Sequence, residues 1–168
     1  GYHISYATAY TEENRFIAPV FDISALHPFL DAFTIMSYVY IGPTTGWTGS
    51  KQPLEGGPLY GSVYPSGGVS KYYNWKNTAQ EWLAAGVPTS KIVMGVGFSG
   101  IEWVNLNNNT PGGSIAGGTG SNKNYDYLVT ESEAHGGPLW YDFDKSDYYV
   151  YSIGGGKYTM GIYTGVAA

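Results

Sequence analysis

Two short groups of residues in this chain carry side chains suited to chemistry. One is Met36-Ser37-Tyr38, inside the apolar run from Ala32 to Tyr40; the other is Glu102-Trp103, just past the apolar run from Lys91 to Phe98. Alternation along a strand puts Thr34, Met36, Tyr38 and Tyr40 on one face, so Met36 and Tyr38 point the same way at the strand's carboxyl end. A tyrosine at a strand's carboxyl end can line a site; the plainer expectation is that both side chains fill a core. Glu102 can act as an acid if it is buried, and is otherwise an exposed loop carboxylate. Large aromatic rings offer flat stacking surfaces, which directs attention to Trp47, Trp75, Trp82, Trp103 and Trp140. Trp47 in a glycine-rich loop and Trp103 beyond a strand are placed for a cleft. His3, His27 and His135 are far apart, with no metal-binding spacing, so neither metal nor other cofactor is expected. Asn108-Asn109-Thr110 is a glycosylation sequon whose use requires secretion.

The elements that position these residues are legible from punctuation. Asn74 to Gly86 has apolar side chains at Trp75, Ala79, Trp82 and Leu83, the stripe of a helix lying on a core. Asn74 suits the N-cap, Gly86 a left-handed cap, and Pro88 prevents the helix from resuming. The order strand 32–40, long loop, helix 75–85, strand 91–98 is a βαβ unit of a parallel sheet, with Tyr2 to Ala9 as a neighbouring strand. Thr11 to Arg15 reads as a polar connection and Ala18 to Leu30 as a short helical region broken by Pro19 and Pro28. Ile41 to Ser70 is too rich in glycine and proline for regular structure, as suits a long loop at the carboxyl end of a strand. Asn105 to Asn124 reads as a flexible surface loop. Residues 125–134 suit a helix, and 139–163 a hairpin around Gly154-Gly155-Gly156.

Composition narrows the function classes. A hydrophobic content of 43% against 12% charged residues describes a globular chain rather than a disordered one. A net charge of −5 with the eight Lys and Arg scattered singly argues against nucleic acid and against binding at a membrane surface. No apolar run approaches the length of a spanning helix. The absence of cysteine excludes disulfides and thiolate metal sites.

Met36-Ser37-Tyr38, then Gly42, Trp47 and Gly49, Pro58-Leu59-Tyr60, Trp82-Leu83, Gly86-Val87-Pro88, Lys91 to Gly95 and Phe98-Ser99-Gly100 together resemble the family-18 glycoside hydrolases, the chitinases and their relatives. Phe29 to Phe33 looks like the family's approach to its sixth barrel strand. Tyr125-Asp126-Tyr127-Leu128, Tyr141-Asp142 and Tyr149-Val150-Tyr151 look like the small α+β domain inserted after the seventh. The resemblance implies an α/β fold: a partial (β/α)8 TIM barrel, about strands 5 to 7, over residues 1–100, and an α+β insertion-like region over 101–168. A complete barrel takes roughly 250 residues. An interior slice of a larger domain is therefore expected, and three barrel strands leave open edges that favour self-association.

In that family the acetamido oxygen of the substrate attacks the anomeric carbon, in place of an enzyme carboxylate. By resemblance Tyr38 orients the acetamido group, Met36 lines the pocket beneath it, and Trp47 and Trp103 contact sugar. The family's D-x-x-D-x-D-x-E motif, whose glutamate is the general acid, does not occur here; Asp142-Phe143-Asp144 is the only D-x-D, with Ser146 where the glutamate would stand. The general acid is expected outside this chain. Where active members have aspartate after the tyrosine, this chain has Val39, and the family's Phe-Tyr-Gly-Arg becomes Phe98-Ser99-Gly100-Ile101. Two readings follow. One is part of an extracellular hydrolase of β-1,4-linked N-acetylglucosamine polymers, whose partners are chitin oligosaccharides and the remainder of its own barrel. The other is a non-catalytic, lectin-like relative that keeps the sugar cleft.

Overall fold

The computed structural model describes residues 2–9, 22–56 and 74–164. The expected connection at Thr11 to Arg15, the residues Ala18 to Phe21 and Pro58-Leu59-Tyr60 lie outside the described residues. Two sheets are present. The first has three parallel strands in the order β1-β2-β3, with β1 Ser5–Ala9, β2 Ala32–Met36 and β3 Ile92–Met94. The strands are where the sequence places them but shorter.

Helix α1 Ile23–Leu26 starts at Asp22, whose carboxylate accepts from the Ala25 N–H, and runs into a 3-10 turn at His27–Phe29. Helix α2 Trp75–Ala84 is capped by Asn74, which accepts from the Asn77 N–H at 2.7 Å, and stops at Gly86, whose φ of +89° needs a residue without a Cβ. Register explains the core of this half. Tyr6, Phe33 and Ile92 are lateral partners, as are Thr8, Ile35 and Met94, and these face outward toward Trp82 and Val87. Phe33 and Trp82 rings sit 5.1 Å apart. Leu83, expected on the packed stripe, is exposed; Thr78 takes its place on the buried face. The opposite face carries Thr34, Met36 and Val93 and is open, with Met36 37% and Val93 48% exposed.

The second sheet is antiparallel throughout, in the order β5-β4-β8-β7-β6, from β4 Ser99–Leu106, β5 Thr119–Asn124, β6 Leu139–Tyr141, β7 Ser146–Gly154 and β8 Lys157–Tyr163. Helix α3 Tyr125–Ala134 follows β5 directly and packs Leu128 and Val129 against Tyr149 and Tyr163 on one face. The other face holds Ile101, Trp103, Leu106, Met160 and Ile162, joined by Ile41 from the loop after β2. The hairpin β7-β8 turns where the three glycines predict. The segment 105–124 is not a uniformly flexible loop: it contains β5, and Asn107 and Asn108 fold the turn before it by donating to the carbonyls of Ala116 and Ser114 at 2.8 and 2.7 Å. Asparagine amides here supply the pairing that the backbone of a glycine-rich segment lacks. Among the described residues no helix is long and apolar enough to cross a membrane.

Candidate functional site

The carboxyl ends of β2 and β3 come together at Ser37. Its hydroxyl donates to the Gly95 carbonyl at 2.9 Å, and its own carbonyl accepts from the Trp75 indole at 2.8 Å. The residue before Tyr38 is thereby fixed to both β3 and α2. Tyr38 lies over Gly95 and Gly97: a Cβ at Gly97 would stand 3.0 Å from the Tyr38 Cβ, and one at Gly95 would stand 3.1 Å from its ring. The two glycines are thus a seat for the phenol, a close approach that larger residues would block. The half-buried Tyr38 hydroxyl has no hydrogen-bond partner among the described residues.

The expected alternation does not extend to Tyr40. Val39 turns the chain with φ +67°, in the left-handed region. Tyr40 therefore swings to the helix side, where it is buried and its hydroxyl meets the Thr78 hydroxyl at 2.8 Å. Burial pushes its phenol pKa up. The Val39 side chain itself is 48% exposed.

Residues 50–52 cross this mouth. The Lys51 carbonyl accepts from the Tyr40 N–H at 2.9 Å, and the buried Gln52 accepts from the Gly97 N–H at 2.8 Å. The Ser50 N–H reaches the buried Asp144 carboxylate at 3.1 Å, and Leu54 N–H donates to the Asp144 carbonyl at 3.1 Å. Asp144, from the turn between β6 and β7, also accepts from the Ser146 hydroxyl. Burial raises its pKa to about 6, against the lowering effect of these hydrogen bonds. It clamps the 50–54 segment to the second sheet.

Two sequence expectations need correction. Trp103 is 0% exposed and packs among Ile41, Ile101, Leu106, Met160 and Ile162, its indole donating to the Pro43 carbonyl at 3.2 Å. Because β4 begins at Ser99, Trp103 lies within an eight-residue strand flanked by β5 and β8 rather than past a strand end, and no surface is left for a sugar. Glu102 is likewise no loop carboxylate. On the opposite face of β4 it is buried, accepting from Tyr149 at 2.7 Å and Tyr127 at 3.2 Å, with the Lys123 ammonium 3.4 Å away. Burial and the neighbouring carboxylate push the Tyr127 phenol up to about 12. This arrangement satisfies Glu102 and ties β4, β5, β7 and α3 together.

Met36 ends β2 on the open face, as alternation from Thr34 predicts. Trp47 is half-buried; its main chain bridges Ser114, and Thr48 exchanges hydrogen bonds with Gly112 and Gly113. Sequence reasoning missed Lys51, Gln52 and Ser99. Nothing local marks them, because a polar residue in a glycine- and proline-rich loop reads as solvated until the loop is seen to cross the strand ends.

The model of glycosyl hydrolases family 18 matches residues 1–163, and the chain belongs to that family. It is 25% identical over 140 residues to chitinase C of Streptomyces lividans, covering 73% of this chain and 21% of that protein. The catalytic domain of psychrophilic chitinase B from Arthrobacter TAD20 superposes with a TM-score of 0.70 at 20% identity, over 99% of this chain and 36% of that one. A chitinase-like agglutinin from Robinia pseudoacacia superposes with a TM-score of 0.65 at 19% identity, over 97% and 43%. The chain therefore spans about a fifth of the length of chitinase C and less than half of these two structures. The fold they share is part of a TIM-barrel-type catalytic domain.

Proposed function

We propose that this chain supplies the acetamido-holding side of a chitinase-like cleft for β-1,4-linked N-acetylglucosamine polymers. Its three parallel strands correspond to about strands 5 to 7 of the barrel, and the five-stranded sheet with α3 to the α+β insertion after strand 7. The observation that carries the reading is Tyr38, a phenol seated on Gly95 and Gly97 at the strand mouth with its hydroxyl free to donate. A neutral hydrogen bond from that hydroxyl to an acetamido carbonyl contributes about 1 kcal/mol. Met36 and Trp47 flank the sugar. The open face bearing Thr34, Met36 and Val93 supports the view that further barrel strands of a longer, secreted polypeptide cover it and bring the general acid for substrate-assisted, retaining hydrolysis.

A specific feature favours a second reading, a lectin-like protein that binds without turnover. Val39 stands where the family's active members carry aspartate, and it can neither orient the acetamido group nor influence a neighbouring acid. Calorimetric titration with an N-acetylglucosamine oligomer, alongside a chromogenic oligomer assay, separates the outcomes. Saturable binding weakened several-fold by Tyr38→Phe, with unchanged thermal stability, is expected. Hydrolysis by this chain alone is not expected, and turnover lost in Glu102→Gln would overturn the assignment of the acid to residues outside it. Absence of binding would overturn the cleft itself.

A further inference from the structure

Among the described residues Lys51 is an anomalous charge. Only 8% of it is exposed, yet among the described residues its ammonium has a single partner, the Ser99 hydroxyl at 3.1 Å. The ion pairs among the described residues join Lys76 to Glu55, Lys123 to Glu102, His135 to Glu131 and Lys145 to Asp142, and none includes Lys51. A buried cation ordinarily has a counter-charge, because desolvation of an ammonium costs several kcal/mol unless it is repaid locally. A lysine on a loop usually escapes this cost by extending its stem into water. Lys51 is prevented from doing so by its main chain, which is pinned on both sides: Ser50 to Asp144, the Lys51 carbonyl to Tyr40, and Gln52 to Gly97. Burial accordingly lowers the pKa of its amine.

The place of this charge is informative. Gln52 and Tyr38 both meet Gly97, and Ser99 is two residues farther along the same segment. The ammonium thus stands beside the candidate cleft, with two of its three donors without a partner among the described residues. We propose that Lys51, positioned by Ser99, is an anion-recognition point of the cleft that takes the carboxylate of an acidic amino sugar. This rests on the carbohydrate reading above and adds a preference to it. A sugar hydroxyl would give Lys51 only a second bond of the kind Ser99 already makes. A carboxylate also restores charge balance and forms the stronger, charge-assisted bond. The net charge of −5 gives no general attraction for an anionic ligand, so such a preference must be local to Lys51.

The test compares two oligosaccharides of equal length by calorimetry: a neutral N-acetylglucosamine oligomer, and one whose alternate sugars carry a lactyl ether carboxylate. The chain is expected to bind the acidic oligomer about tenfold more tightly. Raising the salt concentration should weaken that complex and leave the neutral one unchanged. Lys51→Met, which keeps the apolar stem, should abolish the difference between the two oligomers, and Lys51→Arg should restore it. Equal affinities in the unmodified chain overturn the inference and leave the carbohydrate reading intact, a result that does not depend on how any variant folds. Binding of neither oligomer overturns both.

Discussion

The clearest consequence of the geometry concerns Asp144, whose carboxyl group is raised by burial from 3.8 to about 6. A carboxyl that is harder to ionise folded than unfolded contributes stability that is fully present below 3.8 and is lost as pH rises through about 6. Each factor of ten in acidity corresponds to about 1.4 kcal/mol, so the shift amounts to about 3 kcal/mol between pH 7.5 and pH 3.5. Exposed carboxylates such as Asp142, held low by its hydrogen bond with Lys145, oppose this trend, so the wild-type profile alone is not diagnostic. Asp144→Asn isolates it. The amide can still accept from the Ser50 N–H, and the Ser146 hydroxyl can reverse to accept from the new NH2, so both contacts survive without the charge. In urea unfolding followed by tryptophan fluorescence, at one fixed protein concentration, Asn should gain on the wild type as pH rises from 4 to 7.5. The gain should approach about 3 kcal/mol, building up between pH 3.8 and about 6 and levelling off above that. A difference independent of pH, or one that grows toward acid, would refute the argument that desolvation dominates the two hydrogen bonds.

Other consequences are simpler to state. Trp103→Ala should destabilise the chain by about 3–5 kcal/mol, seen as a lower urea midpoint, because it empties the core of the second sheet; Trp140→Ala on the exposed edge strand should cost less than about 1 kcal/mol. Val39→Asn should stabilise the chain by about 1 kcal/mol, seen as a higher urea midpoint, since asparagine tolerates the left-handed backbone that a β-branched residue strains to adopt. Asn108 should remain unglycosylated by mass spectrometry after secretion from a eukaryotic host, because its amide nitrogen already donates to Ser114 at 2.7 Å. The chain in isolation should show concentration-dependent sedimentation, which mutation of the open-face residues Met36 and Val93 to polar side chains should reduce.

How much of this was legible in the sequence depends on the range of the interaction involved. The α2 helix, its caps and the parallel strands on either side rest on spacings of a few residues, and the sequence predicts them closely. Tyr38 was also accessible, since two residues of alternation separate it from Met36. Glu102 was not: its partners Tyr127 and Tyr149 lie 25 and 47 residues away, and only the pairing of β4 with β5 and β8 brings them together. Trp103 was misplaced because the strand carrying it starts directly after the exit from β3, where a loop was expected. Tyr40 was misplaced because one residue, Val39, reverses the alternation, and no propensity marks a valine as left-handed.

These differences bear on how the site is held. The outer face of the first sheet has its own core in Phe33, Ile35, Trp82 and Val87, so the strand mouth can be rigid even while the inner face is open. Its other side is fixed from the second sheet, through Asp144 to Ser50 and through Ile41 to the Trp103 core. Residues 50–52 are therefore held from two directions. A substitution deep in the second sheet should alter ligand affinity by loosening Lys51 and Gln52, while the same loss of stability on α2 should act through Ser37 and Tyr38. Matching a variant from each group for equal destabilisation, and comparing their affinities for the neutral and acidic oligomers, distinguishes the two supports. The second-sheet variant should lose the acidic preference first. If both lose the two affinities in parallel, the mouth responds as a single unit, and separate anchoring of Lys51 and Tyr38 is wrong.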